Sequence, residues 1–274
     1  MATIAAPKIR SERRPDALSG TPRAHAIDRW IYVFMAAWFI AIVLVGFIPD
    51  SIMKVGMIRA GARAPFPLVL HMHAVVMGSF LLVLLMQTIL MATGRKALHM
   101  QLGVIGMILA GALVVIGFVL APTMYYQVWG GANFGPPEVR EALAPVVLQV
   151  ENILLLQIAA GIMFALFIAI GLRARARDGG LHKRMIFLAV AVPLGAAFAR
   201  MGWLPSTLPA NPASNNFYVL MAVAPMFVWD VIRNRRVHEA YLMWFPVFLA
   251  TVIAVQVAWD KPWWHATAKA IMRV

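Results

Sequence analysis

The stretch Pro67–Gly106, PLVLHMHAVVMGSFLLVLLMQTILMATGRKALHMQLGVIG, decides how the chain reads. From Leu68 to Ala92 it carries no Asp, Glu, Lys or Arg, and it exceeds the roughly 20 residues a helix needs to cross a bilayer. A basic turn, Gly94-Arg95-Lys96, follows, and a second apolar run returns from Gln101. The pattern predicts a membrane-crossing helical hairpin. It also holds His71, His73, Gln87 and His99, polar groups that are costly in lipid and therefore candidates for a site.

Composition extends this reading to the whole chain. Of 274 residues, 62% are hydrophobic and 13% charged, where soluble domains run to about a quarter charged. Mean hydropathy is +0.79. The net charge of +13 resembles that of a nucleic-acid-binding protein. However, the basic residues fall in short turns between apolar runs, the pattern that orients a membrane chain. Nucleic acid is thus not an expected partner; the lipid bilayer is. No cysteine is present, which excludes disulfides, thiolate zinc sites and iron–sulfur clusters and leaves His, Met, Asp and Glu as metal ligands.

The expected fold class is all-α, a polytopic membrane bundle of about seven transmembrane helices. The predicted spans are Trp30–Ile48, Leu68–Ala92, Gln101–Ala121, Ala144–Leu172, Lys183–Leu204, Phe217–Ile232 and Glu239–Trp259. Pro193, Pro225 and Pro246 are expected to kink theirs. Residues 1–29 lack the apolar core of a signal peptide and read as a disordered basic tail. Residues 260–274, with Trp263 and Trp264, read as an interfacial segment after the 30–259 membrane domain. Of the 24 Lys and Arg, sixteen fall on the side of the N-terminus and seven on the other, leaving Arg200 inside a helix. The asymmetry predicts a cytoplasmic N-terminus and an external C-terminus. The loops containing Tyr125 to Trp129, Pro136-Pro137 and Pro205 to Asn216 are expected to fold over the outer mouth. Gly106 with Ala110, and Gly161 with Ala165, are spaced for close helix contact.

Two groups of polar residues stand out. At 1.5 Å per residue, His73 lies roughly 7 Å, Glu151 roughly 10 Å and Arg200 roughly 6 Å from the outer ends of their helices. Three ionisable groups at similar depth predict an outer-leaflet cluster, with His71, Asn152 and Gln149 near it. A structural ion pair between Glu151 and Arg200, or snorkelling of Arg200, would explain the same residues without a ligand. The second group is His99, His182 and His238. Each starts a helix after a basic turn, in GRKALH, RDGGLH and RNRRVH, a weak repeat that suggests three hairpins after a leading helix. The positive helix end favours neutral imidazole, the form that binds metal or haem iron. Helix capping or lipid-phosphate contact is the plainer reading. Asp230 is expected to pair with Arg233 or to orient one of these rings. Gln87 and Gln157 are expected to bond across helices, and the methionines, Met77 included, to fill the core.

Several activities lack their motifs. The seventh helix has no lysine for a retinal Schiff base, since Lys261 lies beyond its end. No GxxxxGK[ST], HExxH or GxSxG occurs. Two blocks, LHMH through Gln87 to GRKALHMQLG and LHKRM through AFARMGW, resemble an uncharacterised family of bacterial polytopic membrane proteins. The matching positions are His73, Gln87, Arg95, His99, Gly103, His182, Lys183, Arg184, Met185 and Arg200, within residues 65–205. Met100 departs from the pattern, which more often has a basic residue there. The family is distantly similar to cytochrome b561-type membrane proteins, and that resemblance implies haem held by paired histidines.

Three functions follow as expectations. The first is a redox or respiration-linked protein binding haem, a metal ion or quinone at His71, His73, Glu151, Asn152 and Arg200, with His99, His182 and His238 as metal ligands. A proton-coupled transporter with Glu151 and His73 as its relay is the second. The third is a non-catalytic accessory or assembly subunit of a respiratory or other membrane complex.

Overall fold

Backbone polar groups in lipid must be satisfied inside the chain, which an apolar run achieves as a helix. The computed structural model describes residues 22–274, and within them the regular structure is entirely helical. The helices are α1 (Pro22–Arg59), α2 (Leu68–Ala92), α3 (Lys96–Phe134), α4 (Pro137–Ala174), α5 (Gly179–Ala191), α6 (Gly195–Phe198), α7 (Ala213–Asn234), α8 (Glu239–Ala258) and α9 (Pro262–Met272). A single 3-10 turn, Val192–Leu194, joins α5 to α6. Counting α5–α6 as one, seven spans are long and apolar enough to cross a membrane. The chain is a multi-pass membrane helix bundle. One face carries the basic turns around Arg95, Arg175 and Arg235; the far face carries the remaining loops and α9.

Several helices outrun their expected bounds. With 39 residues, α3 is about 58 Å long, nearly twice the ~30 Å hydrocarbon layer. Hydropathy marks only the part in lipid, and the helix continues through Pro122. Tyr125 to Trp129, expected in a loop, therefore sit in α3. Pro136 caps α4 and Pro137 is its first residue, so only Gly135 and Pro136 separate α3 from α4. Helix α1 starts at Pro22, inside the stretch read as a tail; residues 1–21 lie outside the described part.

The fifth span is the centre of the bundle. Its most apolar window is 56% buried, against 17–33% for the other six. Met185, Leu188, Ala189, Ala191 and Ala197 are all fully enclosed there. Pro193 has no N–H, and the helix tightens around it: the Val192 N–H turns to the Ala189 carbonyl, three residues back. The Leu188 carbonyl, which an α-helix would have given to Val192, instead accepts the Trp244 indole N–H from α8 at 3.1 Å. In α7 and α8 the helix runs on through Pro225 and Pro246.

Glycine sets the closest approach. A Cβ on Gly46 of α1 would strike the Ala197 carbonyl and lie 2.9 Å from its Cα. Gly161 lies under the Phe118 ring, where a Cβ would be 3.2 Å away, and Gly106 faces Val83 at 3.4 Å.

Gly46→Ala is expected to push α1 off the central span and lower the detergent melting temperature. Trp244→Phe keeps the ring but strands a buried carbonyl, at a cost of about 1–3 kcal/mol. Reversible unfolding in mixed micelles checks both, and the Phe variant should unfold more easily although its volume barely changes.

Candidate functional site

On the far face, α4 meets the returning C-terminal segment through two adjacent residues. The Asn152 side-chain oxygen accepts the Asp260 backbone N–H at 3.0 Å, and the Glu151 carbonyl accepts the Trp264 indole N–H at 3.0 Å. Asp260 adopts a positive φ of 57°, which turns the chain, and Pro262 starts α9. These contacts bring His265 over α4.

The Glu151 side chain has no solvent exposure. One oxygen takes a hydrogen bond of 3.3 Å from the Tyr125 hydroxyl of α3. The other lies 2.7 Å from His265 Nδ1. His265 Nε2 faces Asp260 Oδ1 at 3.3 Å, and the Asp260 side chain is 70% exposed. A neutral imidazole has one N–H, so it cannot donate to two carboxylates. Both contacts are hydrogen bonds only if the ring is an imidazolium or one carboxyl holds the proton. Tyr125–Glu151–His265–Asp260 is thus a continuous line of ionisable groups from an enclosed carboxylate to an exposed one.

The expected outer cluster is divided. Arg200 Nε lies 3.3 Å from Asp50 Oδ2, and its guanidinium stacks 4.4 Å from the Phe47 ring. Lys54 shares the same carboxylate oxygen at 2.7 Å. No hydrogen bond or ion pair joins Arg200 to Glu151 among the described residues. The His73 Nδ1 is buried without a partner among the described residues, while His71 is exposed and meets the Phe66 ring edge at 6.1 Å. Glu151 and Asn152 are brought together at the α9 contact; His71, His73 and Arg200 are not joined to them. His265 escaped sequence reasoning because it was assigned to the tail. Its local sequence carries no signal of a partner on α4, which lies 114 positions away.

The three histidines of the basic-turn face have separate duties. His99 Nδ1 lies 3.4 Å from the Gln87 carbonyl, and His182 Nδ1 lies 2.8 Å from the Gly171 carbonyl. Each ring reaches back across its turn to the preceding helix. The third, His238, accepts the Ala240 N–H at 3.1 Å and caps α8. Among the described residues no group of three or more His, Asp or Glu is placed to hold a metal ion, so these three do not form the expected ligand set. The Gln87 amide finds no partner among the described residues, so it does not make the expected cross-helix bond there.

Asp230 pairs with Arg184, not Arg233. The contact is two-pronged, Nε–Oδ2 at 2.7 Å and Nη2–Oδ1 at 2.6 Å, and the Tyr241 hydroxyl donates to Oδ2 at 2.6 Å. Arg184 also donates to the Gly180 carbonyl at 3.0 Å. Arg233 instead binds Asp28 at 2.6 Å, beside the Trp229 indole at 3.0 Å. Burial, reinforced by the nearby Arg184 charge, lowers the His238 pKa below its usual value. Asp178 is also lowered, first by the Leu181 N–H it accepts as cap of α5. Compared with known proteins, the chain matches no family model, no curated protein and no solved structure.

Asp230→Ala leaves a buried guanidinium unpaired and is expected to cost about 3–5 kcal/mol, while Arg184→Met with Asp230→Leu recovers most of it. Because folding lowers the His238 pKa, the unfolded chain binds the extra proton. The His238 contribution is therefore full above about pH 6.5 and lost as pH falls through the lower folded value. Melting temperature against pH should show this loss in the wild type and not in His238→Asn.

Proposed function

We propose that the chain is a proton-coupled membrane carrier whose proton is bound at Glu151 and exchanged with the far-face medium through His265 and Asp260. The observation that carries this reading is the unbroken line from a carboxylate with no exposure to one that is 70% exposed. An anchor for α9 alone is already provided by Asn152 and by the Trp264 indole. A third contact in which both imidazole nitrogens face carboxylates adds proton sharing, since intramembrane ionisable groups are expensive to keep. His73, first paired with Glu151 as a relay, is replaced in that role by His265.

The Lys and Arg asymmetry supports assigning the far face to the outside of a bacterial inner membrane. Redox chemistry with a quinone would draw on the same proton line. The Tyr125 and His265 donors favour it as a second reading, over one in which His73, Glu151 and Arg200 share a ligand.

Infrared difference spectra across a pH step test the proposal. A protonated-carboxyl band should titrate in the wild type and vanish in Glu151→Gln. Proton uptake after a pH jump in proteoliposomes should slow at least tenfold in His265→Ala and less in Asp260→Asn, because one exposed carboxylate is replaceable by water. If the band is absent or survives Glu151→Gln, proton binding at this carboxylate is wrong. A quinone-dependent absorbance change would move the assignment to the second reading.

A further inference from the structure

One helical turn away from the proton line, the same three helices form a cavity of about 280 Å³ that is open to the surface, with Asn133, Ala144, Leu148 and Lys269 exposed at its rim. The register is constant. Trp129 follows Tyr125 by four residues on α3, Val147 precedes Glu151 by four on α4, and Lys269 follows His265 by four on α9. Each line-forming residue is thus displaced by about 5–6 Å along its own helix to give a wall residue of the cavity. Asn133 and Leu148 complete the part that bears on binding.

The lining has one cation and no acidic residue. The exposed Lys269 ammonium makes no hydrogen bond or ion pair among the described residues, and neither does the half-buried Trp129 indole N–H. Asn133 donates its amide to the Trp129 carbonyl at 2.8 Å, which holds the α3 side of the wall in place. Opposite these donors stand the alkyl groups of Val147 and Leu148. Two unused donors, one of them charged, set against an apolar wall match an anionic head on an apolar body. The volume falls just below that of small-molecule sites, which begin at about 300 Å³, so the open cleft holds a small ligand or only the head of a larger one.

We infer that this cavity binds an amphipathic organic anion, a carboxylate or phosphate joined to an apolar body. The inference rests on the proton-carrier reading and gives that carrier its substrate class. Glu151 is the nearest buried acid along α4, and the titratable groups facing it are Tyr125 and His265, with Asp260 on the far side of the imidazole. A proton on Glu151 removes a negative charge about one turn from the anion, so proton and anion favour each other's binding. A free organic acid and an acidic phospholipid share this chemistry.

The test uses the full chain in nanodiscs of phosphatidylcholine, with octanoate titrated calorimetrically at neutral pH. Octanoate is expected to bind at one site per chain. Lys269→Gln should weaken it at least tenfold, and Glu151→Gln should tighten it roughly tenfold. Lys54→Gln, a cation on the same face outside the cavity, should leave it unchanged. Adding phosphatidylglycerol separates the two sources: displacement of octanoate assigns the site to a lipid headgroup, and unchanged binding assigns it to a free acid. No saturable binding of either probe, or binding indifferent to Lys269→Gln, overturns the site. Binding that depends on Lys269 but ignores Glu151→Gln keeps the anion site and removes its coupling to the proton, which separates this failure from that of the carrier reading.

Discussion

The two-pronged contact between Arg184 and Asp230 is the constraint on which the rest of the bundle depends. It links the central span to α7, and the Tyr241 hydroxyl extends it to α8. Both side chains are over 90% buried, so each charge is tolerable only beside the other. The geometry of the pair therefore sets the rotation and height of three helices at the basic-turn face. From there the central span climbs into the core, where Pro193 frees the Leu188 carbonyl and Trp244 takes it. Gly46 then lets α1 lie against Ala197. The first two contacts keep a buried charge and a backbone carbonyl from being stranded where water is scarce, and the third supplies the room for α1 to approach.

The two faces use buried charge differently. At the basic-turn face the acid has a permanent cation as its partner and a hydroxyl to fill its remaining lone pair, an arrangement suited to staying as it is. At the far face the acid has a histidine, and the histidine has a second acid that reaches solvent. Imidazole is the side chain whose protonation changes in the physiological range. Burial with an arginine makes a fixed joint, whereas burial with a histidine that reaches an exposed carboxylate is the arrangement on which the proposed proton exchange rests.

Much of the fold was legible before the structure. Apolar runs such as Leu68–Ala92 are helices because lipid leaves the backbone no other local solution, and Leu68 and Ala92 are the observed bounds of α2. Helix ends beyond the lipid were less legible: Phe134 and Pro137 bound helices that continue into regions where hydropathy no longer speaks. Within the candidate site, Glu151 and Asn152 could be picked out because a carboxylate and an amide in an apolar run are conspicuous. Their partners could not. His265 lies 114 positions away, and nothing in its local sequence says that Asp260 will turn the chain back onto α4.

By itself, then, the sequence determined that the chain is a bundle of seven apolar helices, which polar residues interrupt them, and which turns carry positive charge. These are local matters, decided by transfer free energy and backbone satisfaction along one segment at a time. Only the tertiary structure decided the pairings: Asp230 with Arg184 and not Arg233, Arg200 with Asp50 and not Glu151, Glu151 with His265 and not His73. A charge buried in a bundle bonds to whatever the rotation and height of neighbouring helices bring within about 3 Å. Depth arithmetic supplies the height of a residue but not the direction in which it points around the helix.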